Sequence, residues 1–378
     1  MNVVSARSGR SPRSWFGSAA AVVVITLAMT ACSAQDPVAE GSSPPASTPS
    51  QDDLAPTPSQ DDRAPTSTLR PTQLRRVMIP VTGAYFGTHF SATLADREET
   101  ITDLESHVGR MFSIDHVYHG WDTPFPSEYD RWTVGEGRTL FLSWTTRRGD
   151  SASTAKWADI VAGLYDELID ERAAAMVALG RPVLMSFDHE PSAQVGDGEG
   201  DSGSVEDYRA AWQHVVDRFD GAGAANVSWV WTMTAYNFRT ADPTPFYPGD
   251  EIVDWVGVDG YTNIECPWLD VPWRSWEEIF GAANTFATRH DKPLVIAEFS
   301  AREDEADPER KASWLLEAVD AVESMPSIKA VVSFNSTQTC SSIIASSERA
   351  VQAYRDVGAS PVFSAVDADL AATAGRTP

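Results

Sequence analysis

Two glutamates hold positions where chemistry is plausible. Glu190 closes the apolar run Pro182–Glu190, and Glu298 sits near the end of the run Pro293–Phe299. A carboxyl group is costly to bury by itself. Two of them facing one pocket can divide a reaction. One stays protonated and donates to a leaving oxygen; the other is ionised and attacks carbon, as in the cleavage of a glycosidic bond. Mutual repulsion and partial burial raise one pKa and so supply the acid near neutral pH. A lone strand-end glutamate is more often part of a rim ion pair, so everything turns on the elements that carry these two.

Those elements repeat. Short apolar, β-branched runs occur at Val77–Phe86, Phe112–His119, Thr139–Thr145, Pro182–Glu190, Val227–Thr234, Val253–Tyr261, Pro293–Phe299 and Ile328–Phe334. Near-continuous apolar runs are expected of parallel strands buried on both faces. Helical periodicity lies between many of them. Trp157, Ile160, Val161, Leu164, Tyr165, Leu168 and Ile169 form one stripe, and Tyr208, Ala211, Trp212, Val215, Val216 and Phe219 another. Ser275 with Glu278 reads as a capping box, and Asp307-Pro308 as a helix start. The crossovers after the second and fifth strands are less clearly helical.

Eight strands alternating with helices predict an α/β fold, a single closed (β/α)8 TIM barrel. An open doubly wound sheet is the rival; Gly83-Ala84-Tyr85-Phe86-Gly87 lacks the spacing of its phosphate loop. In a barrel, function gathers at the C-terminal strand ends. There the chain has His119-Gly120-Trp121, Trp144, Asp188-His189-Glu190, Asp259-Gly260-Tyr261, Glu298 and Asn335. Glu190 and Glu298, on the fourth and seventh strands, then face each other across the mouth.

On these residues the sequence resembles glycoside hydrolase family 26, retaining (β/α)8 enzymes that are chiefly endo-β-mannanases. The similarity runs from about residue 77 to 340. It includes Gly83–Gly87, His189-Glu190, Tyr247-Pro248-Gly249-Asp250 leading into Val253–Tyr261, and Lys292–Phe299. The resemblance implies Glu190 as acid/base and Glu298 as nucleophile. It implies that His189 hydrogen-bonds near the nucleophile and that Tyr261 lies beside the reacting sugar. Two departures concern sugar contacts. The family usually follows the strand-four glutamate with Met-Asn-Gly, where this chain has Pro191-Ser192-Ala193. Many members carry a stacking tryptophan near the end of strand eight, where this chain has Phe334-Asn335-Ser336.

Sugar C–H faces pack on aromatic rings, and Trp121, Trp144, Trp231, Tyr236, Trp268 and Trp273 fall at or beyond strand ends. Trp121, Trp144 and Trp268, with His119, are the expected sugar contacts. Cys266 and Cys340 lie on loops of one face, and a disulfide between them is expected to brace the groove. No cofactor and no catalytic metal are expected: no Cys-x-x-Cys pair is present, and Thr88-His89-Phe90 supplies no His-x-His. The acidic loop Gly196–Gly203 matches no EF-hand pattern.

The ends of the chain read differently. Arg7, Arg10 and Arg13 precede an apolar run from Ala19 to Met29 and then Thr30-Ala31-Cys32. That order describes an export signal, with Cys32 as a lipidation site. Residues 33 to about 74 are rich in Ser, Pro, Thr, Gln and Asp, and Pro49–Thr57 recurs almost unchanged as Pro58–Thr66. Such a stretch cannot bury a core and reads as a disordered tether. The expected plan is a signal over 1–31, a tether over 32–74, the barrel over 75–360 and a tail over 361–378. The formal charge of -25 in 378 residues, with 29 Lys+Arg against 54 Asp+Glu, disfavours nucleic acid and anionic membrane surfaces as partners. The expected protein is an exported monomer, lipid-anchored to the outer face of the bacterial cytoplasmic membrane, that cleaves a β-linked polysaccharide, β-mannan first, with β-glucans, β-xylans and a cell-envelope glycan left open. A non-catalytic carbohydrate-binding lipoprotein on the same barrel is the alternative.

Overall fold

The computed structural model describes residues 79–80, 83–91, 96–149, 153–198, 200–266, 269–336 and 342–365. Cys32, Trp268, Cys340, the expected signal and the whole of the expected tether lie outside them, as does most of the tail. Eight parallel strands close a barrel. They are β1 (Tyr85–Phe90), β2 (Ile114–His119), β3 (Thr139–Trp144), β4 (Val183–Phe187), β5 (Val227–Thr234), β6 (Trp255–Thr262), β9 (Leu294–Ala301) and β10 (Ile328–Asn335). A short antiparallel hairpin, β7 (Ile264–Cys266) with β8 (Leu269–Val271), interrupts the series after β6. It was not expected from the sequence. β9 and β10 are therefore the seventh and eighth barrel strands, and β10 closes on β1 with Tyr85 opposite Ala330.

The strands are apolar on both faces because both faces are covered. Tyr85, Ile114, Phe141, Leu184, Val230, Trp255, Val295 and Val332 fill the barrel interior. The alternate residues pack outward against the helices in a larger core. Side chains alternate with period two, so the inward positions continue toward the mouth as His89, His116, Tyr118, Ser143, Asp259, Tyr261 and Phe334. The first strand starts later than the apolar run Val77–Phe86 suggests. Gly83 turns the chain at φ 68, and a Cβ there would lie 2.6 Å from the Val362 carbonyl oxygen. The strand then runs on through Thr88 and His89, polar residues that an apolar pattern does not capture.

Helices α1 (Arg97–Val108), α2 (Glu128–Gly135), α3 (Trp157–Val161), α4 (Asp166–Leu179), α5 (Val205–Gly221), α6 (Ala235–Thr240), α7 (Trp276–Arg289), α8 (Arg310–Ser324) and α9 (Glu348–Ala359) surround the barrel. The stripe from Trp157 to Ile169 is split between α3 and α4, because Gly163 sits at φ 80 and ends the first turn. Ser275 and Glu278 form the expected capping box at α7. Beyond Asp307-Pro308 the helix begins at Arg310, with Asp307 accepting from the Glu309 N–H at 3.2 Å. α2 and α6, after the second and fifth strands, are short, which accounts for their weak periodicity.

Candidate active site

Three carboxyl groups meet at the C-terminal mouth. Glu298 is almost fully buried on β9, and Asp259 lies opposite it in the β6–β9 register. Glu190 lies just past β4, and its carboxyl is close enough to Asp259 and Glu298 for the three groups to perturb one another's ionisation. Two phenols hold Glu298: Tyr118 from β2 donates to Oε1, and Tyr261 from β6 donates to Oε2. The two sequence-predicted glutamates therefore share one pocket with Tyr261. Tyr118 and Asp259 join them, and neither was assigned a role from the sequence. The signal was available: both occupy the period-two inward positions of their strands.

Burial and charge set the proton inventory. Burial, then repulsion from Glu190, pushes Glu298 up to about 8, against the Tyr118 hydrogen bond. Burial also raises Glu190. Asp259 is held well above the carboxylate range by burial and by the charges of Glu298 and Glu190. No N–H or hydroxyl among the described residues reaches its buried oxygens. Three adjacent carboxylates in a water-poor pocket cannot all ionise. Glu298 alone has two hydroxyl donors, which favour its charged form. The charge therefore belongs on Glu298, and a proton is retained by the Glu190–Asp259 pair. With that proton in place, the lesser of the two causes that raise Glu298, repulsion from Glu190, falls away, while burial, the larger, is opposed by the hydroxyl donors.

A layer of neutral imidazoles lies beneath. His116 stacks on Phe141 at 3.9 Å, faces the Ala297 carbonyl at 3.2 Å and pairs with Ser143 Oγ at 2.9 Å. Burial holds its pKa well below the ordinary histidine value. His89, lowered to about 3 by burial and then by Arg97, bonds the His116 carbonyl at 2.8 Å. Neutral rings suit this floor, since a cation there would neutralise Glu298. Phe334 is the inward aromatic at the end of the eighth strand. It stacks on His89 at 4.7 Å and meets Tyr261 edge-on at 6.1 Å. Asn335, one residue on, points outward and bonds Thr88 and the Ile344 N–H.

His189 was expected to hydrogen-bond near the nucleophile. It lies edge-on to Tyr118 at 5.2 Å, and its buried Nδ1 has no partner among the described residues. Burial, then Arg147, lowers it to about 4. The hydrogen bonds to Glu298 come from the two tyrosines instead. Trp121 and Trp144, expected as sugar contacts, are not at the mouth surface. Both are 0% exposed and stack on each other at 4.4 Å between strands and helices. The reason is parity: Ser143 faces inward, so Trp144 faces outward. His119, one residue after inward Tyr118, is likewise turned outward and buried, 2.9 Å from Asp130 of α2. Trp231 is also core. Tyr236, at the start of α6 just past β5, is 64% exposed. Its neighbour Asn237 accepts from Ser192, two residues past Glu190, so the start of α6 lies on the Glu190 side of the mouth. Trp268 and Cys340 fall outside the described residues, as does the side chain of Cys266.

Among the described residues no group of His, Cys, Asp and Glu side chains could hold a metal ion. In the acidic loop, Lys156 donates to the carbonyls of Gly198 and Asp201, which occupies oxygens a cation would need. A cavity of about 380 Å³ lies at the opposite end of the barrel, beside Asp254, Lys292, Pro293 and Lys329, away from the carboxylate cluster.

A closed (β/α)8 barrel with paired carboxyls at its C-terminal mouth is the architecture of the barrel glycoside hydrolases. This chain belongs to glycoside hydrolase family 26: the model of glycosyl hydrolase family 26 matches residues 143–298, from within β3 to Glu298 itself. Endoglucanase H of Acetivibrio thermocellus is 30% identical over 285 residues, covering 72% of this chain and 30% of that protein. The β-1,3-xylanase TXYA of a Vibrio species is 29% identical over 144 residues, covering 38% of this chain and 28% of that protein. The chain thus spans under a third of the length of these curated relatives. Among solved structures, the catalytic domain of an endo-β-1,4-mannanase from Bacillus sp. JAMB-750 superposes with a TM-score of 0.59 at 14% identity, over 78% of this chain and 91% of that one. A β-mannanase from Bacteroides ovatus gives 0.54 at 17% identity, over 77% and 92%. At these identities the likeness is one of fold.

Proposed function

We propose that the barrel hydrolyses a β-linked polysaccharide by double displacement with retention of configuration. The observation that carries the reading is the asymmetry of the carboxyl cluster: two tyrosines donate to Glu298, whereas Glu190 faces another carboxyl. Glu298 is the ionised nucleophile. Glu190 carries the proton and delivers it to the departing oxygen as Glu298 bonds to the anomeric carbon. Glu190, now ionised, takes a proton from the incoming water as the water oxygen bonds to the anomeric carbon and the glycosyl–Glu298 bond breaks, which leaves Glu190 protonated and Glu298 ionised again. Tyr118 and Tyr261 stabilise the Glu298 carboxylate as it departs. Phe334 offers a ring face to the sugar in the cleavage subsite. No cofactor enters the scheme.

β-Mannan is the first substrate to test. The names of the relatives add β-glucan and β-1,3-xylan to the panel. We further propose an exported monomer, anchored by lipid on Cys32 and held clear of the membrane by residues 33 to about 74. The alternative of a binder without turnover is motivated by Pro191-Ser192-Ala193 after Glu190. Release of reducing ends from one polysaccharide of the panel, with the β-anomer formed first by NMR, supports hydrolysis with retention. Binding without release identifies the binder, and first formation of the α-anomer overturns the retaining mechanism. Radiolabelled palmitate on the wild type, absent from Cys32→Ala, tests the anchor.

A further inference from the structure

The proposed reaction needs Glu190 fixed, yet its backbone is in an unfavourable conformation. Asp188 sits at φ 48 and Glu190 at φ 53, both in the left-handed region, where a side chain crowds the following carbonyl. The segment is bolted at both ends: the Asp188 N–H bonds the Trp144 carbonyl at 2.8 Å, and the Glu190 N–H bonds the Thr232 carbonyl at 3.1 Å. Between them Asp188 turns a fully buried carboxyl away from the mouth, where it meets five donors. Oδ2 accepts from Trp157 Nε1 at 2.6 Å and Thr146 Oγ1 at 2.9 Å. Oδ1 accepts from the Thr146 N–H at 3.0 Å, Gln194 Nε2 at 3.1 Å and Thr145 Oγ1 at 3.2 Å. These donors come from the loop after β3, the first residue of α3 and the turn after Glu190. Gln194 Nε2 also reaches the His189 carbonyl, at 3.4 Å.

We propose that Asp188 is a positioning residue for the acid/base: its carboxylate gathers these donors and so holds Asp188–Glu190 in the left-handed turn that aims Glu190 at Asp259 and Glu298. The inference rests on the reading of Glu190 as acid/base. A neutral carboxamide cannot replace the carboxylate. With its NH2 at the Oδ2 position it opposes Trp157 Nε1–H; at the Oδ1 position it opposes the Thr146 N–H. Either way two donors face each other, and the turn is free to relax to negative φ.

The test is Asp188→Asn, read by kinetics and by its crystal structure. On the polysaccharide, kcat falls about 10²-fold with KM within about twofold, the size of effect that misplacing a catalytic group produces. On a 2,4-dinitrophenyl glycoside, whose leaving group needs no proton, formation of the glycosyl-enzyme is spared. Azide, a nucleophile that needs no base, restores turnover and yields the glycosyl azide. An equal loss on both substrates without azide rescue assigns Asp188 a merely structural part and overturns the proposal. The crystal structure decides independently of activity. Glu190 relaxed out of the left-handed region supports the proposal; Glu190 unmoved at a φ near 53 overturns it. If the asparagine variant does not fold, Trp157→Phe removes only the 2.6 Å donor and should show the same substrate selectivity and azide rescue in smaller measure; their absence overturns the proposal. A wild type that turns over neither substrate sinks the glycosidase reading, and the structural arm still judges Asp188.

Discussion

Tyr118→Phe is a sharp probe of how Glu298 is kept charged. The change deletes one of the two hydroxyls that donate to the carboxylate and leaves Tyr261 on the other oxygen. The ring keeps its packing on His116 at 4.4 Å and His89 at 4.7 Å, and His116 keeps the Ala297 carbonyl. A hydrogen bond to an ionised group contributes about 1.5–3 kcal/mol. At about 1.4 kcal/mol per pKa unit, its loss raises the Glu298 pKa by about 1–2 units. The sign follows from which form is stabilised: the hydroxyl favours the carboxylate, so removing it favours the acid. Turnover needs the carboxylate. The acidic limb of a plot of kcat/KM against pH should therefore move up by about 1–2 units, with the loss concentrated below the new limb. The assay is reducing-end release from pH 4 to 9, with the alkaline limb as internal reference. A limb that stays put, moves down, or a loss equal at every pH would refute the reasoning.

Other changes test other parts of the account. Glu298→Gln should abolish turnover and raise stability at pH 7–8. The buried cluster of Glu298, Asp259 and Glu190, all three raised by burial, binds more protons folded than unfolded, so the wild type loses stability as pH rises above the ordinary carboxylate range, and removing the Glu298 charge relieves that loss. Urea melts at pH 5 and 8 should show the variant's advantage growing with pH, and an advantage confined to pH 5 would contradict it. Tyr236→Ala, at a 64% exposed site, should leave the melting temperature unchanged. It should weaken KM for long oligosaccharides by about fivefold, roughly the value of one aromatic contact, with aryl glycosides unaffected. Trp144→Ala should cost about 3–5 kcal/mol of stability, as for other buried tryptophans, while the activity per folded molecule survives. A selective loss of polysaccharide binding there would restore Trp144 to the groove.

Much of the scaffold could be read from the sequence because it is built of repeated, periodic units. Buried parallel strands announce themselves as apolar runs, and Glu190 and Glu298 stood out by ending two of them. What escaped notice has physical reasons. β1 continues through Thr88 and His89, which face the outer layer and the mouth respectively and so break the apolar pattern. Tyr118 lies inside the run Phe112–His119, where a tyrosine passes for packing; only the spacing from Ile114 through His116 places its hydroxyl in the pocket. Trp121, Trp144 and His119 were misjudged because nearness to a strand end was weighed above parity. One residue of offset moves a side chain from the mouth to the helix layer. Asp188 gave no separate signal, since its partners Thr146, Trp157 and Gln194 gather only in the folded chain.

The central claim is that Glu298 forms the covalent bond to the sugar. A 2-deoxy-2-fluoro glycosyl fluoride of the hydrolysed sugar should slow both steps and trap that bond, and peptide mass spectrometry locates it. The account expects stoichiometric labelling of the peptide containing Glu298, abolished in Glu298→Gln. A label on Glu190, on Asp259 or on any other residue would contradict it.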